Sequence, residues 1–201
     1  MNGGKGTALV TGAARGIGKG IVEQLAAEGY RVVAIDRLPE VEETAAASRA
    51  RGHDVVAELC DVRDRQAIAA LAERHAPLDV IVNNAAITAT YPFEELTEEH
   101  FRETFDINTV GTFVVAQEGA RRMRNGGRIV NIASRSFAGA PQMAHYAASK
   151  TAVVGLTRAM AIDLSPRDIR VNAVAPGVVD TDMLHYMNEE QQARMLSFQL
   201  L

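Results

Sequence analysis

The 201-residue sequence has no tryptophan, a single cysteine (Cys60) and only 5% aromatic residues. One cysteine excludes an internal disulfide framework, and five scattered histidines offer no pair at metal-ligand spacing, so no metal is expected. With so few aromatics there is no stacking platform for single-stranded nucleic acid. The 21 basic residues are outnumbered by 25 acidic ones, which leaves no basic excess for a polyanion, and no nucleic-acid partner is expected. No uninterrupted apolar run approaches the length of a membrane span, and Met1-Asn-Gly-Gly-Lys-Gly6 lacks the apolar centre of a signal segment. The expectation is a cytoplasmic protein without a membrane partner. An apolar share of 47% beside 23% charged residues is that of an ordinary globular chain, long enough for one domain over residues 1–201.

The most informative stretch runs from Ser134 to Lys150 and centres on Tyr146-Ala-Ala-Ser-Lys150. On a helix, residues four apart share a face, which sets an ammonium beside a phenol. A fixed positive charge favours phenolate and lowers the tyrosine pKa toward a range useful for proton exchange with an alcohol or carbonyl oxygen. That spacing alone is more often a solvated pair. Its context is stronger: Arg128–Ala133 reads as a buried strand ending at Ser134, and the helix carrying Tyr146 starts after Pro141 and runs to Pro166.

Toward the N-terminus, Thr7–Val10 reads as a strand, Thr11–Gly18 as a glycine-rich turn, and Ile21, Val22, Leu25 and Ala26 as the apolar face of a helix ending at Gly29. Strand, glycine turn and helix N-terminus together can cradle a phosphate, although the glycines at 12, 16 and 18 depart from G-x-G-x-x-G spacing. The strand Arg31–Ile35 ends at Asp36, placed to bond an adenosine ribose or to cap a turn. A helix over 40–51 and a strand over 54–59 lead to Asp61, which contacts an adenine amine or caps the following helix. The strand Leu78–Val82 runs into Asn83-Asn84-Ala85-Ala86. A helix is expected from about Thr97 to about Met123, with Asn108 inside it either binding a water or bending it. Asn125-Gly126-Gly127 closes that helix. A sixth strand, Ile169–Val174, precedes Pro176-Gly177, and residues 184–201 read as a helix over the cleft. Alternating strands and helices predict a doubly wound parallel sheet of order 3-2-1-4-5-6, with binding groups at the strands' carboxyl ends.

With these residues in place, the sequence resembles the short-chain dehydrogenase/reductase family over its whole length. The resemblance rests on Thr11-Gly-x-x-x-Gly-Ile-Gly18, Asp61, Asn83-Asn84-Ala85, Asn108, Ser134, Tyr146-x-x-x-Lys150 and Pro176-Gly177 with Thr181, in that order. It implies a Rossmann-type fold and a catalytic set of Asn108, Ser134, Tyr146 and Lys150. In that set Tyr146 is the general acid/base, Ser134 holds the substrate oxygen, Lys150 binds the nicotinamide ribose, and Asn108 supports a water. It further implies a cofactor site with Gly12, Arg15, Gly16, Ile17 and Gly18 around the pyrophosphate and Asp61 with Val62 at the adenine. Asn84 and Ala85 stand beside the ribose and nicotinamide, Pro176 and Gly177 turn the chain at the cofactor site, and Val179 with Thr181 contacts the carboxamide.

The implied activity is hydride transfer between NAD and a secondary alcohol or ketone, in a homotetramer or dimer. Asp36 favours NAD by repelling a 2′-phosphate, whereas Arg15 and Arg37 favour NADP; NAD is the expected cofactor. An NADP-dependent 3-oxoacyl or ketone reductase and a non-catalytic nucleotide-binding protein are the alternatives. Ser136, Phe137, Met143 and Met183 are expected to line the substrate pocket. Three departures from the family pattern stand out. Ala86 occupies a usual glycine position, the interval from Ser134 to Tyr146 is one residue short, and the chain stops at Leu201 before the family's last helix and strand, so that either the sequence is truncated or an edge strand is left to be covered.

Overall fold

The computed structural model describes residues 4–180. Six strands form one parallel sheet in the order β3-β2-β1-β4-β5-β6, the expected doubly wound arrangement. They are β1 (Thr7–Thr11), β2 (Arg31–Asp36), β3 (Val55–Leu59), β4 (Leu78–Asn83), β5 (Met123–Ile132) and β6 (Arg170–Val174). The helices are α1 (Gly16–Ala27), α2 (Val41–Ala50), α3 (Arg65–Arg74), α4 (Glu98–Phe105), α5 (Thr112–Ala120) and α6 (Ala144–Asp163).

Alternation along the strands divides the core into two layers. Leu9, Val33, Ile35, Ile81, Ile129 and Val171 pack with Ile68 and Leu71 of α3 and Val114 and Val115 of α5. On the other face Ala8, Val10, Val32, Ala34 and Val82 pack with Val22 and Ala26 of α1 and Val41 and Ala45 of α2. Strands buried on both faces need no polar alternation, which is why they read in sequence as continuous Val, Ile and Ala runs. Helix ends follow local chemistry. Gly29, at φ 92°, stops α1 as Tyr30 N–H donates to Leu25 and Gly29 N–H to Ala26, and Asp64 caps α3 by accepting from Ala67 N–H. Thr97 caps α4, with His100 closing the box from the third helical position.

The expected helix from Thr97 to Met123 is a composite. Between α4 and α5 lies a π-helical turn, Asp106–Gly111, with Asn108 in it, so the amide reshapes the helix. The helical part stops at Ala120. Met123 already pairs with Leu78, and the register then jumps to Val80 opposite Arg128, so Asn125-Gly126-Gly127 forms an irregularity within β5, where Gly126 takes φ 82°. Among the described residues β6 is an edge strand, and Val174 on it is half exposed.

Candidate active site

Thr11, at the end of β1, organises the first half of the site. Its hydroxyl accepts the main-chain N–H groups of Asn84 (3.0 Å) and Ala85 (3.1 Å), and the Asn84 amide donates back to Thr11 O (3.1 Å) and Gly12 O (3.0 Å). Asn84 therefore braces the glycine turn with the side chain expected to line the ribose. The turn is tight enough to need its glycines. Gly12 has φ 65°, and a Cβ on Gly18 would stand 1.9 Å from Gly12 O. No side chain caps α1 at Arg15, so the first-turn N–H groups, including those of Ile17 and Gly18, are left without a helical partner. A braced glycine cradle and an uncapped helix N-terminus fit a dinucleotide pyrophosphate.

Asp36 ends β2 facing this turn. One carboxylate oxygen accepts Ala14 N–H and the other Leu38 N–H, both at 3.0 Å. Asp61 is clasped by Arg63 through Nε and Nη2 as well as its main-chain N–H, and this bonding holds the Asp61 carboxyl below its usual range. The alternative role for Asp61, capping α3, falls to Asp64. Val62 is buried against Gly111, where a Cβ would meet its Cγ2 at 2.6 Å. Val62, expected at the adenine, is thus packed on the π-turn.

The second half is built on β5, the π-turn and α6. Tyr146 and Lys150 face inward from α6, 8% and 3% exposed, with Lys150 Nζ 5.7 Å from the Tyr146 ring centroid. Ser134 hydrogen bonds to the Tyr146 hydroxyl and also accepts Ser136 N–H (3.1 Å). The Lys150 amine donates to Ile132 O at 2.7 Å. Asn108 is fully buried; its side chain accepts Ile87 N–H (2.9 Å) and donates to Ile87 O (3.0 Å) and Ser149 Oγ (3.1 Å). Ser134, Tyr146 and Lys150 come together, and Asn108 reaches α6 through Ser149.

The electrostatics correct one expectation. In the chain alone the net direction for the Tyr146 pKa is upward, opposite to the lowering expected beside Lys150. Burial pushes the phenol up against the opposing pull of its Ser134 hydrogen bond, and burial pushes the Lys150 ammonium down to about 8. Both charged forms are disfavoured by the same dry environment, so each waits on a partner.

Pro176 O accepts Arg135 N–H at 2.9 Å, which sets Pro176-Gly177 beside the Ser134 loop. Val179 is 42% exposed. Thr181, Met183 and the segment 184–201 lie outside the described residues. Of the expected pocket residues, Phe137 is exposed and Met143 is buried. Ala85 and Ala86 are half-buried. Sequence reading named Thr11 only as the start of the glycine motif and did not single out Ser149; Asn84 and Ala85, which bond Thr11, and Asn108, which bonds Ser149, are distant in the chain. A glycine, Gly111, three residues beyond Asn108 in an apolar helical stripe was the available sign of the π-turn.

Comparison with known proteins agrees with this geometry. A family model described as short chain dehydrogenase matches residues 6–192. The hydroxynaphthalene reductase-like protein Arp2 of Metarhizium majus is 42% identical over 184 residues, 88% of this chain and 69% of its own. The 3-oxoacyl-[acyl-carrier-protein] reductase MabA of Mycobacterium tuberculosis is 36% identical over 197 residues, 94% of this chain and 76% of its own. A short chain dehydrogenase from Burkholderia cenocepacia, solved in complex with NADP, superposes with a TM-score of 0.82 at 38% identity, covering 88% of this chain and 75% of that one. The chain belongs to the short-chain dehydrogenase/reductase family and is an NAD(P)-dependent oxidoreductase. Among the described residues no helix is long and apolar enough to cross a membrane.

Proposed function

We propose that the protein interconverts a secondary alcohol and a ketone with NAD as cofactor. The observation that carries this reading is the buried Tyr146 hydroxyl, bonded to Ser134 and set beside Lys150. When bound, the dinucleotide supplies or accepts the hydride. In the reductive direction Tyr146 gives its proton to the substrate oxygen as Ser134 holds that oxygen. The Lys150 ammonium then stabilises the phenolate left behind, and protonation from solvent restores the tyrosine. Oxidation runs the same steps backward.

Asp36 supports NAD. Two main-chain N–H groups fix its carboxylate beside the turn, where a 2′-phosphate would bring like charge against it. NADP is the second reading, favoured by the NADP complex of the Burkholderia relative and by Arg37 next to Asp36. A homo-oligomer is supported by the apolar side chains that α4, the π-turn and α5 leave exposed, namely Phe101, Val110 and Phe113.

Tyr146→Phe tests the reading. Screened with secondary alcohols and ketones, the variant is expected to lose roughly a thousandfold or more in kcat, within the range for general acid–base groups, while NADH affinity stays within about threefold. Turnover close to that of the parent would remove Tyr146 from the role.

A further inference from the structure

We propose that Ser149 is a positioning residue for catalysis, fixing the main chain of Tyr146 to the π-turn and to the loop after β4. The proposal rests on the assignment of Tyr146 as the proton donor. Ser149 is completely buried. Its hydroxyl accepts from Asn108 Nδ2 at 3.1 Å and donates to the carbonyl of Tyr146 at 2.8 Å. Asn108 in turn holds both the N–H and the carbonyl of Ile87. One hydroxyl therefore completes a continuous path from the loop after β4, through the π-turn, to the peptide of the reacting tyrosine.

Helix α6 needs such an anchor at this end. Met143 stands at its N-cap without a side-chain hydrogen bond, and no acidic residue lies in its first turn. Tyr146 is the third residue of that weakly held end. The next turn is tied down by Ser149, twice: through its hydroxyl, and through its carbonyl, which accepts Thr109 Oγ1 at 3.2 Å. Only the hydroxyl bond reaches Tyr146 itself. The two ties leave the same residue, so they separate a catalytic effect from a merely structural one.

Three variants test this, with Tyr146→Phe measured alongside. Ser149→Ala is expected to lower kcat about tenfold or more, the scale on which a misplaced reacting group slows a step, and to displace the pH profile of kcat. KM and NADH affinity are expected to stay within about threefold. Thr109→Val loses the other tie to the same turn, and its kcat is expected within about threefold of the parent even where its melting temperature falls as far. Should Ser149→Ala not fold, Ser149→Cys keeps the volume with a weaker donor, and an intermediate loss of kcat is expected. A parental kcat and pH profile in Ser149→Ala or Ser149→Cys overturns the proposal. So does equal loss of turnover in Ser149→Ala and Thr109→Val with cofactor affinity falling in step. Retained turnover in Tyr146→Phe sinks the underlying assignment instead, which is a distinct result.

Discussion

Lys150 combines two opposed tasks in one side chain. Its amine has an acceptor in Ile132 O, yet burial draws its pKa from 10.5 to about 8, so holding the charged form dry opposes folding by on the order of 3 kcal/mol at neutral pH. The sign follows from proton counts. Below about 8 both states are protonated and the folded chain carries the full penalty; between about 8 and 10.5 the unfolded chain holds more protons, so this contribution to stability improves as pH rises. Tyr146 acts oppositely at higher pH, because its raised pKa makes the unfolded chain ionise first. Lys150→Met is therefore expected to be more stable than the parent at pH 7, with the difference narrowing toward pH 10 in denaturant unfolding, and to lose turnover. A variant less stable at pH 7 would show that the ammonium is net stabilising where it stands. At this scale the Tyr146–Lys150 pair was legible because both residues lie on one helix. The partners of Asp36 were not, since Ala14 N–H belongs to another element and no pattern within β2 announces it.

The composite of α4, π-turn and α5 shows where element-level reading stops. Apolar residues at helical spacing run through Phe105, Ile107, Val110, Phe113 and Val114, and a π-turn adds one residue to a turn without ending the helix, so spacing alone does not reveal it. Its cause is tertiary. Gly111 lets Val62 approach, and the Asn108 side chain is drawn to Ile87 rather than along the helix. The start of β5 was missed for a related reason, because Met123 continues the helical apolar stripe yet pairs with Leu78. The same composite leaves Phe101 and Phe113 more than a third exposed, Phe101 stacked on Phe105 with centroids 5.0 Å apart. Burying that face against a second copy predicts a homo-oligomer. Light scattering on the parent should give a multiple of 21.6 kDa, and Phe101→Glu with Phe113→Glu should lower it; a monomeric parent would contradict the assignment of this face.

Across the whole molecule, the order β3-β2-β1-β4-β5-β6 brings the glycine turn, Asp36, Asp61, Asn84 and Ser134 to the carboxyl edge of one sheet, with α6 laid beside it. This level was the most legible. Strand and helix alternation leaves few topologies once crossovers are right-handed, and the motifs fall at strand ends in their expected succession. The substrate was not legible, because the groups that would select it sit in loops whose packing no local spacing encodes. The account stands first on the cofactor cradle, and nicotinamide fluorescence measures it directly, in a chain with no tryptophan to interfere. Titrating the 201-residue chain with NADH and with NADPH is predicted to give saturable NADH binding at least about tenfold tighter than NADPH binding, because the carboxylate fixed at Asp36 repels a 2′-phosphate. Tighter binding of NADPH would contradict the NAD assignment, and binding of neither would contradict the cradle itself.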